Sequence, residues 1–316
     1  MNCNATAIQQ RACKEVPAIP FSPVTLTQKP FVDFITHLED SRSSAWCFAN
    51  MYFWVDSFHW QVAFLNNRLL SRLSLGGDSY YGFPIGEGDL EPAIEALRHD
   101  ALKRKEPLRL RGLTEKSKNL LETNYPGCFT YTADTEVFDY IYEAEKLVSL
   151  AGKKLQSKRN HINRFLENHT DWAFEPVTIH NLSECLAMSD RWAMEKEASS
   201  SEKADREALM IAAANFEILG LEGGLLRLDG TVIAFTIGER LNSDTYIVHF
   251  EKALAQIQGA YPLINREFVR YIKEKYPHIV YINREEDMGI EQLRKAKRSY
   301  NPIFMVEKYI ATWCGR

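Results

Sequence analysis

The same order of predicted secondary-structure elements occurs twice along the chain. This repetition limits the folds that the chain can adopt. The first occurrence begins with "WQVAFLNNRLLSRLSLGGDSYYGFP", which alternates apolar and polar residues and turns at Asn66-Asn67 and Gly76-Gly77. The second begins with "GGLLRLDGTVIAFTIGERLNSDTYIVHFEKA", with turns at Asp229-Gly230 and Asn242-Ser243. A helix, a strand, a helix and a strand follow each meander. We therefore predict a structural repeat without visible sequence identity.

The length indicates more than one domain. A chain of 316 residues exceeds the usual size of a single hydrophobic core, so two domains of about 150 residues are expected. We place them at 30–168 and 169–316, after an N-terminal arm at 1–29. The first domain includes a basic inter-domain helix at its end. Meanders that feed strand–helix–strand units define an α/β class with mixed (α+β) sheets. A ligand is then expected at the carboxyl ends of the central strands.

Composition excludes several classes of protein. A net charge of -4 argues against bulk nucleic acid as the main partner. The six cysteines are scattered without a CxxC pair, which indicates reduced thiols and no metal site. The sequence has no run of 18 apolar residues and no apolar leader at its start, so we expect no transmembrane segment and a cytoplasmic location.

The segment "GKKLQSKRNHINRF" is unusually basic. On a helical wheel, Lys154, Lys158, His161 and Phe165 share one face, while Arg159 lies at the edge of an apolar stripe. This face is suited to an anionic group such as a phosphate, a lipid head group or the acceptor end of a tRNA. The alternative is a solvated basic face between two domains.

A second candidate lies where the strand containing "YIVHFEKA" leads into a helix. Gly259, at the entry of that helix, would let backbone N–H groups approach a phosphate closely, unless it only forms the turn. Strand alternation predicts that His249 and Glu251 share one face and that Val248 and Phe250 share the other. Glu251 could take a proton from an attacking amine or serve as a counterion. His249 is interpreted as structural more readily than as catalytic.

The third candidate is "INREEDMGIEQLRKAKRSYNP" near the C-terminus. On a helical wheel, Arg294 and Lys297 fall among the apolar residues Ile290 and Leu293. A buried cation needs anionic partners, and we expect Asp287 together with Glu251 or Glu307 to supply them. Structural ion pairing and ligand binding both remain open for this segment.

Together these segments, with "HFEKA" and "GAYPLINREF", resemble the DUF2156 family, which is similar to the C-terminal catalytic domain of phosphatidylglycerol lysyltransferases. The resemblance covers about residues 30 to 310 and implies two tandem GNAT-like (acyl-CoA N-acyltransferase) domains. It further implies transfer of an aminoacyl or acyl group from an activated donor to an amine or hydroxyl. Such enzymes position donor and acceptor and stabilise an oxyanion without a covalent intermediate.

The resemblance also implies a site in the second domain. Glu251 or Asp287 would hold or deprotonate the acceptor amine. The residues expected to bind substrate are Gly259, Asn283, Glu285, Arg294 and Lys297, approached by Lys154, Lys158, Arg159 and His161.

Donor and acceptor remain open at this stage. The donor would be aminoacyl-tRNA or acyl-CoA, although "QIQGAY" keeps only part of the usual CoA loop, and the acceptor a small molecule or a lipid head group. The alternatives are an acyl-CoA-dependent N-acyltransferase acting on a small amine and a non-catalytic anion-binding protein.

Overall fold

The computed structural model describes residues 18–194 and 200–315. They form two compact units. The first contains the chain up to Val137 and again from Glu307, and the second is the continuous segment Phe138–Val306. Most of the predicted N-terminal arm lies outside the described residues. No helix in the described ranges is long and apolar enough to cross a membrane.

Each unit is built around one β-sheet. In chain order they are β1 Ser22–Pro23, β2 Gln61–Leu65, β3 Arg68–Leu75, β4 Asp78–Gly82, β5 Ile85–Gly86, β6 Arg109–Leu113, β7 Phe129–Ala133, β8 Asp139–Glu143, β9 Trp172–Val177, β10 Glu222–Leu228, β11 Thr231–Arg240, β12 Thr245–Ala253, β13 Tyr281–Asn283, β14 Phe304–Val306 and β15 Tyr309–Trp313.

The α-helices connect these strands. They are α1 Lys29–Glu39, α2 Phe48–Phe53, α3 Val55–Phe58, α4 Leu90–Lys103, α5 Glu115–Asn124, α6 Ala144–Ser149, α7 Gln156–Asn168, α8 Leu182–Met194, α9 Ser200–Ala214, α10 Phe216–Leu219, α11 Ala260–Lys275 and α12 Glu291–Arg298.

The first unit is built on a mixed sheet of order β1-β2-β3-β4-β6-β15-β7, with β5 paired to β3. The predicted turn between β2 and β3 is confirmed, because Asn66 and Asn67 both take the left-handed conformation that tight hairpins require. Strand β4 runs parallel to β6, whereas β15 is antiparallel to both β6 and β7.

The second unit has a sheet of order β14-β8-β13-β12-β11-β10-β9. The second predicted meander, β10 to β12, forms its antiparallel part, and β13 pairs parallel with β12. Helix α11 packs on this sheet through Phe268, Val269 and Ile272, in one core cluster with Tyr246 and Val248 of β12. Each apolar residue buried in this way contributes about 2 kcal/mol. The core therefore fixes which face of β12 lies under α11.

Mixed sheets confirm the predicted α/β class, but the units do not follow the predicted division of the chain. Residues 138–168, including the basic helix α7, belong to the second unit instead of ending the first. The physical reason is the pairing of β8 with β13, which places the segment after Val137 in the second sheet. The predicted last strand "PIFMVEKYIAT" is likewise two strands, with β14 in the second sheet and β15 in the first.

Candidate functional site

Glu251 is the centre of a buried polar cluster in the second unit. It lies on β12, and its Oε1 is 2.7 Å from Nη2 of Arg284, which directly follows β13. Its Oε2 accepts a hydrogen bond of 2.9 Å from Nδ2 of Asn265 on α11. The side chains of Glu251 and Arg284 are only 9% and 12% exposed. A sheet strand, a loop and a helix thus meet at one carboxylate.

Two tyrosines border the Arg284 guanidinium. Its Cζ lies 4.8 Å from the ring centroid of Tyr300 and 5.7 Å from that of Tyr142, both within cation–π range. Burial by itself would lower the pKa of Arg284, but the Glu251 carboxylate and the surrounding phenols outweigh it, so the pKa is raised. The guanidinium therefore remains charged inside the cluster.

Three polar atoms of this cluster are buried without a hydrogen-bond partner among the described residues. They are Nη1 of Arg284, Oδ1 of Asn265 and the hydroxyl of Thr236, which pairs with Glu251 across β11 and β12. Asn265 and Thr236 are almost fully buried. An unsatisfied buried polar group costs about 1–3 kcal/mol, so such groups usually have a partner. Three together point to a ligand that supplies the missing bonds.

A β-bulge decides which side of the sheet Glu251 faces. Ile237 pairs with Phe250 but Gly238 pairs with Val248, so His249 is an extra residue on β12. Val248 packs in the α11 core cluster, and Glu251 bonds to Asn265 of the same helix. These two residues therefore share a face, and the strict alternation expected from the sequence is wrong.

His249 lies in a separate set of contacts. Its Nδ1 is 2.8 Å from Glu285 and its Nε2 is 3.1 Å from Glu239 on β11, and its side chain is almost fully buried. Glu285, predicted to bind substrate, is thus a neighbour of His249. The backbone N–H of Glu285 also donates to Oδ1 of Asn283 at 2.6 Å, so the Asn283 side chain shapes the turn after β13.

The basic helix and the C-terminal segment contact each other within the second unit. Lys154 Nζ donates to Oδ1 of Asn301 at 3.0 Å, and Lys158 Nζ lies 4.2 Å from the ring centroid of Tyr300. Burial and the positive charge of Arg284 lower the pKa of Lys158, and Glu251 partly offsets them. Lys158 is therefore part of the electrostatic surroundings of Glu251.

Arg159 and His161 make contacts of a different kind. Arg159 donates to the carbonyl oxygens of Leu150 and, at 2.9 Å, Gly152, and so closes the turn before α7. Nδ1 of His161 is 3.3 Å from Nε2 of Gln258. For Arg159 this favours a structural role over the predicted anion contact, because its Nη1 is directed to two backbone carbonyls.

The structure also explains why position 259 is a glycine. Gly259 has φ 94°, and a Cβ placed there would lie 2.5 Å from the His161 carbonyl oxygen and 2.8 Å from Cβ of Phe165. Close packing of α7 against the start of α11 therefore requires the missing side chain. Approach of a phosphate, as predicted from the sequence, is not needed to account for it.

Asp287 is fully engaged by protein groups. It accepts hydrogen bonds from Tyr140 Oη at 2.6 Å, from the Gly289 N–H at 2.9 Å, and from Nε and Nη2 of Arg294, both at 3.0 Å. Burial would raise the pKa of Asp287, but the bonds from Arg294 and Tyr140 outweigh it and lower the pKa. A carboxylate held in this way is a poor base, which favours the ion-pair alternative for Asp287 and Arg294.

Lys297 is buried, and its partners differ from those predicted. Its Nζ donates to the carbonyl oxygens of Arg284, at 2.5 Å, and of Glu286. The expected partners bond elsewhere, since Glu251 pairs with Arg284 and Glu307 accepts from Tyr309 in the first unit. Burial lowers the pKa of Lys297 to about 8.

Four residues of the cluster were not predicted from the sequence: Arg284, Asn265, Thr236 and Tyr300. A signal for two of them was present, because the tetrapeptide "INRE" occurs at 264–267 and again at 282–285. Its Asn in the first copy and its Arg in the second both bond to Glu251. Thr236 had no such signal, because its place opposite Glu251 depends on strand register.

A surface depression elsewhere in the second unit is less suited to chemistry. It is lined by Val177, Thr178, Ile179, His180, Phe216, Glu217, Leu221, Glu222, Gly223, Tyr271 and Lys275. Two of its charged residues, Lys275 and Glu222, bond to each other at 2.5 Å. Among the described residues, none that lines the depression has a buried polar atom without a partner, unlike the three beside Glu251.

Fold and site together define a mixed α/β protein with a buried carboxylate–guanidinium–amide cluster under a helix. The family model described as "Phosphatidylglycerol lysyltransferase, C-terminal" matches residues 37–312. The chain therefore belongs to this family, as its sequence motifs predicted.

Solved structures support the fold. A conserved protein of unknown function from Bacteroides thetaiotaomicron VPI-5482 is 39% identical with a TM-score of 0.86, over 93% of this chain and 99% of that one. L-PGS from Bacillus licheniformis has a TM-score of 0.64 at 15% identity, over 96% of this chain and 95% of that one. At that identity the likeness shows the fold alone.

One curated relative adds a partial match. An uncharacterised protein of Mycoplasmoides gallisepticum (strain R(low / passage 15 / clone 2)) is 23% identical over 175 residues, which is 54% of this chain. The match spans only about half, 55%, of that relative's length.

Proposed function

We propose that the chain is an aminoacyltransferase that moves an aminoacyl group from an activated ester, such as an aminoacyl-tRNA, to an amine or hydroxyl acceptor. The second unit carries the reaction, and the Glu251 cluster binds the reacting group. The observation that supports this is the set of three unsatisfied buried atoms around Glu251, taken over the part of the chain that the structure describes. Membership of the phosphatidylglycerol lysyltransferase family agrees with it.

The chemistry of these atoms matches an aminoacyl group. The Glu251 carboxylate, Asn265 Oδ1 and the Thr236 hydroxyl are oxygen acceptors suited to the N–H donors of an ammonium. Nη1 of Arg284 is a charge-assisted donor suited to a carbonyl oxygen. A plain acetyl group has the carbonyl but no ammonium, so it would leave the acceptors unsatisfied.

Transfer then needs positioning and charge stabilisation. The acceptor nitrogen or oxygen attacks the ester carbonyl carbon, the bond to the ester oxygen breaks, and the acceptor proton passes to that oxygen, which leaves as a hydroxyl. Arg284 would stabilise the oxyanion formed during attack. Glu251 would hold the amino group, while Lys154, Lys158 and His161 of the basic segment would contact donor phosphates. An acceptor with a phosphate, such as a lipid head group, suits the same cations.

Label transfer tests the proposal. The purified chain is incubated with tRNAs charged with radiolabelled amino acids and with phosphatidylglycerol vesicles or small amines as acceptors. We expect label in the acceptor, with kcat lowered at least about 100-fold in Arg284→Gln and Glu251→Gln because each removes a buried charged contact. Arg270→Gln is the matched control, because Arg270 pairs with Glu267 away from the cluster.

Other outcomes would replace the proposal. Turnover of acyl-CoA with a small amine, and none of charged tRNA, would make the protein an N-acyltransferase. Thermal stabilisation by a donor analogue without turnover of any donor would make it a binding protein.

A further inference from the structure

The loop that presents Arg284 to Glu251 contains energetically unfavourable backbone conformations. It follows β13 and contains two non-glycine residues in the left-handed region, Glu285 with φ 54° and Met288 with φ 51°. L-residues adopt such angles only where the surroundings hold them. The loop therefore requires restraint from outside its own backbone.

Lys297 of α12 supplies a restraint at the start of this loop. Its ammonium donates to the carbonyl oxygens of Arg284 and Glu286, on either side of the left-handed Glu285. The backbone of Lys297 is itself held, because its carbonyl oxygen accepts a 2.8 Å hydrogen bond from Tyr142. Its Nζ also lies 5.8 Å from the ring centroid of Tyr140. The side chain spans from a fixed helix to the loop.

The carbonyl that Lys297 holds and the guanidinium that pairs with Glu251 belong to the same residue. A shift of the Arg284 peptide would redirect the side chain that carries the guanidinium. We propose that Lys297 is a positioning residue, whose ammonium fixes the Arg284 peptide and so aims the Arg284 guanidinium at Glu251 and at the ligand. The catalytic consequence of this inference rests on the proposed function, but the positioning itself does not.

Several charged groups surround the ammonium. Burial lowers the pKa of Lys297 to about 8, the carboxylates of Glu286, Glu285 and Asp139 oppose that shift, and the Arg284 guanidinium adds to it. Above this pH the neutral amine is a weaker donor, because charge-assisted hydrogen bonds are the stronger ones. The hold on the Arg284 peptide should therefore weaken as pH rises through 8.

The experiment follows the Arg284 guanidinium directly. Carbon-detected NMR correlates Nε with Cζ of each arginine, and Arg284→Lys assigns the signal. In the wild-type protein we expect the Arg284 signal to shift between pH 6.5 and 9.5 with a midpoint near 8. In Lys297→Met we expect the Arg284 signal to lie, at every pH, where the wild-type signal lies at pH 9.5.

Controls separate positioning from folding. Lys295→Met lies on the same helix and removes an exposed cation that pairs with Glu291, so its Arg284 signal should match the wild type. If Lys297→Met fails to fold, Tyr142→Phe keeps the aromatic ring beside Arg284 but removes the bond to the Lys297 carbonyl, and it should shift the Arg284 signal in the same direction but less. An Arg284 signal at pH 6.5 that is the same in folded Lys297→Met and in the wild type would overturn the proposal.

The two proposals fail separately. If transfer is detected, kcat of Lys297→Met should fall roughly 10- to 100-fold with a smaller change in KM, because a misplaced group raises the barrier. Absence of transfer in the wild type would overturn the proposed function, while the NMR result would still decide the role of Lys297.

Discussion

Asp287 shows how far a single residue could be understood from the sequence. Its position before α12 predicted a partner for Arg294, and the structure shows that contact together with a hydrogen bond from the Gly289 N–H in the turn before the helix. Tyr140 Oη, the third contact, comes from β8 and lies 147 residues earlier in the chain. Sequence spacing could not reveal it, because it arises from the pairing of β8 with β13.

The first prediction concerns the pH dependence of this ion pair. Because the folded-state pKa of Asp287 is lowered, its contribution to stability is present above the unfolded pKa of about 4 and is lost as pH falls through the folded value. We expect Asp287→Asn to lower the free energy of unfolding at pH 7 by about 2–4 kcal/mol. Urea denaturation should show the variant and the wild type converging as pH falls below about 4.

A difference in unfolding free energy between Asp287→Asn and the wild type that stays constant down to the most acidic pH at which both proteins fold would contradict this role. Asp229→Asn is a suitable control, since Asp229 lies in the β10–β11 turn and should leave the difference near zero.

At the scale of elements, the close contact between α7 and α11 depends on one glycine. The sequence marked Gly259 as a helix entry, and α11 does begin at Ala260. The reason for the glycine is nevertheless the backbone of α7, which lies in a distant part of the sequence. Two helices that pack this closely leave no room for a Cβ.

The second prediction tests that contact. Gly259→Ala combines a left-handed φ with a clash against His161 and Phe165, and we expect it to cost about 3 kcal/mol of unfolding free energy. Gly220→Ala is the matched control, because Gly220 also has a positive φ but no atom within 4 Å of its Cβ position, so about 1 kcal/mol is expected. Equal losses measured by chemical denaturation would show that α7 does not pack against Gly259.

Strand β12 shows a second limit of prediction from the sequence at the scale of elements. Alternation predicts the faces of a regular strand, but the register shift between Ile237 and Gly238 adds one residue and reverses the pattern. No residue type in "IVHFEKA" signals the bulge. The face occupied by Glu251, and with it the site, therefore depended on the pairing of two strands.

At the scale of the whole molecule, the chain enters the second unit at Phe138 and returns to the first at Glu307. The returning strand β15 lies between β6 and β7 in the first sheet. Just before it, the buried Lys308 donates to Ser44 at 2.8 Å. The first unit is thus completed by the last residues of the sequence.

The third prediction follows from this arrangement. A chain that ends at Val306 should lose hydrogen-exchange protection in β6 and β7, because both lose the neighbour to which they are bonded. Protection in β12 and β13 should be retained, because all their partners lie within Phe138–Val306. A chain that ends at Cys314 keeps β15 and serves as the control. Full protection of β6 and β7 without β15 would mean that the strand is dispensable.

The sequence alone determined the elements and the family. Hairpin turns and periodicity are local, so the two meanders and the start of α11 could be predicted within a few residues. The motifs that pointed to the phosphatidylglycerol lysyltransferase family are also contiguous, and the family model confirms them.

Tertiary structure alone decided where the chain divides and which polar groups meet. Residues 138–168 and β15 were assigned to the wrong half because strand pairing, a long-range interaction, places them. Glu251, Asn265, Arg284 and Thr236 come together through a bulge, a register and a helix packed on a sheet. Local sequence encodes what a residue can bond to, whereas the fold determines which bonds are left for a ligand.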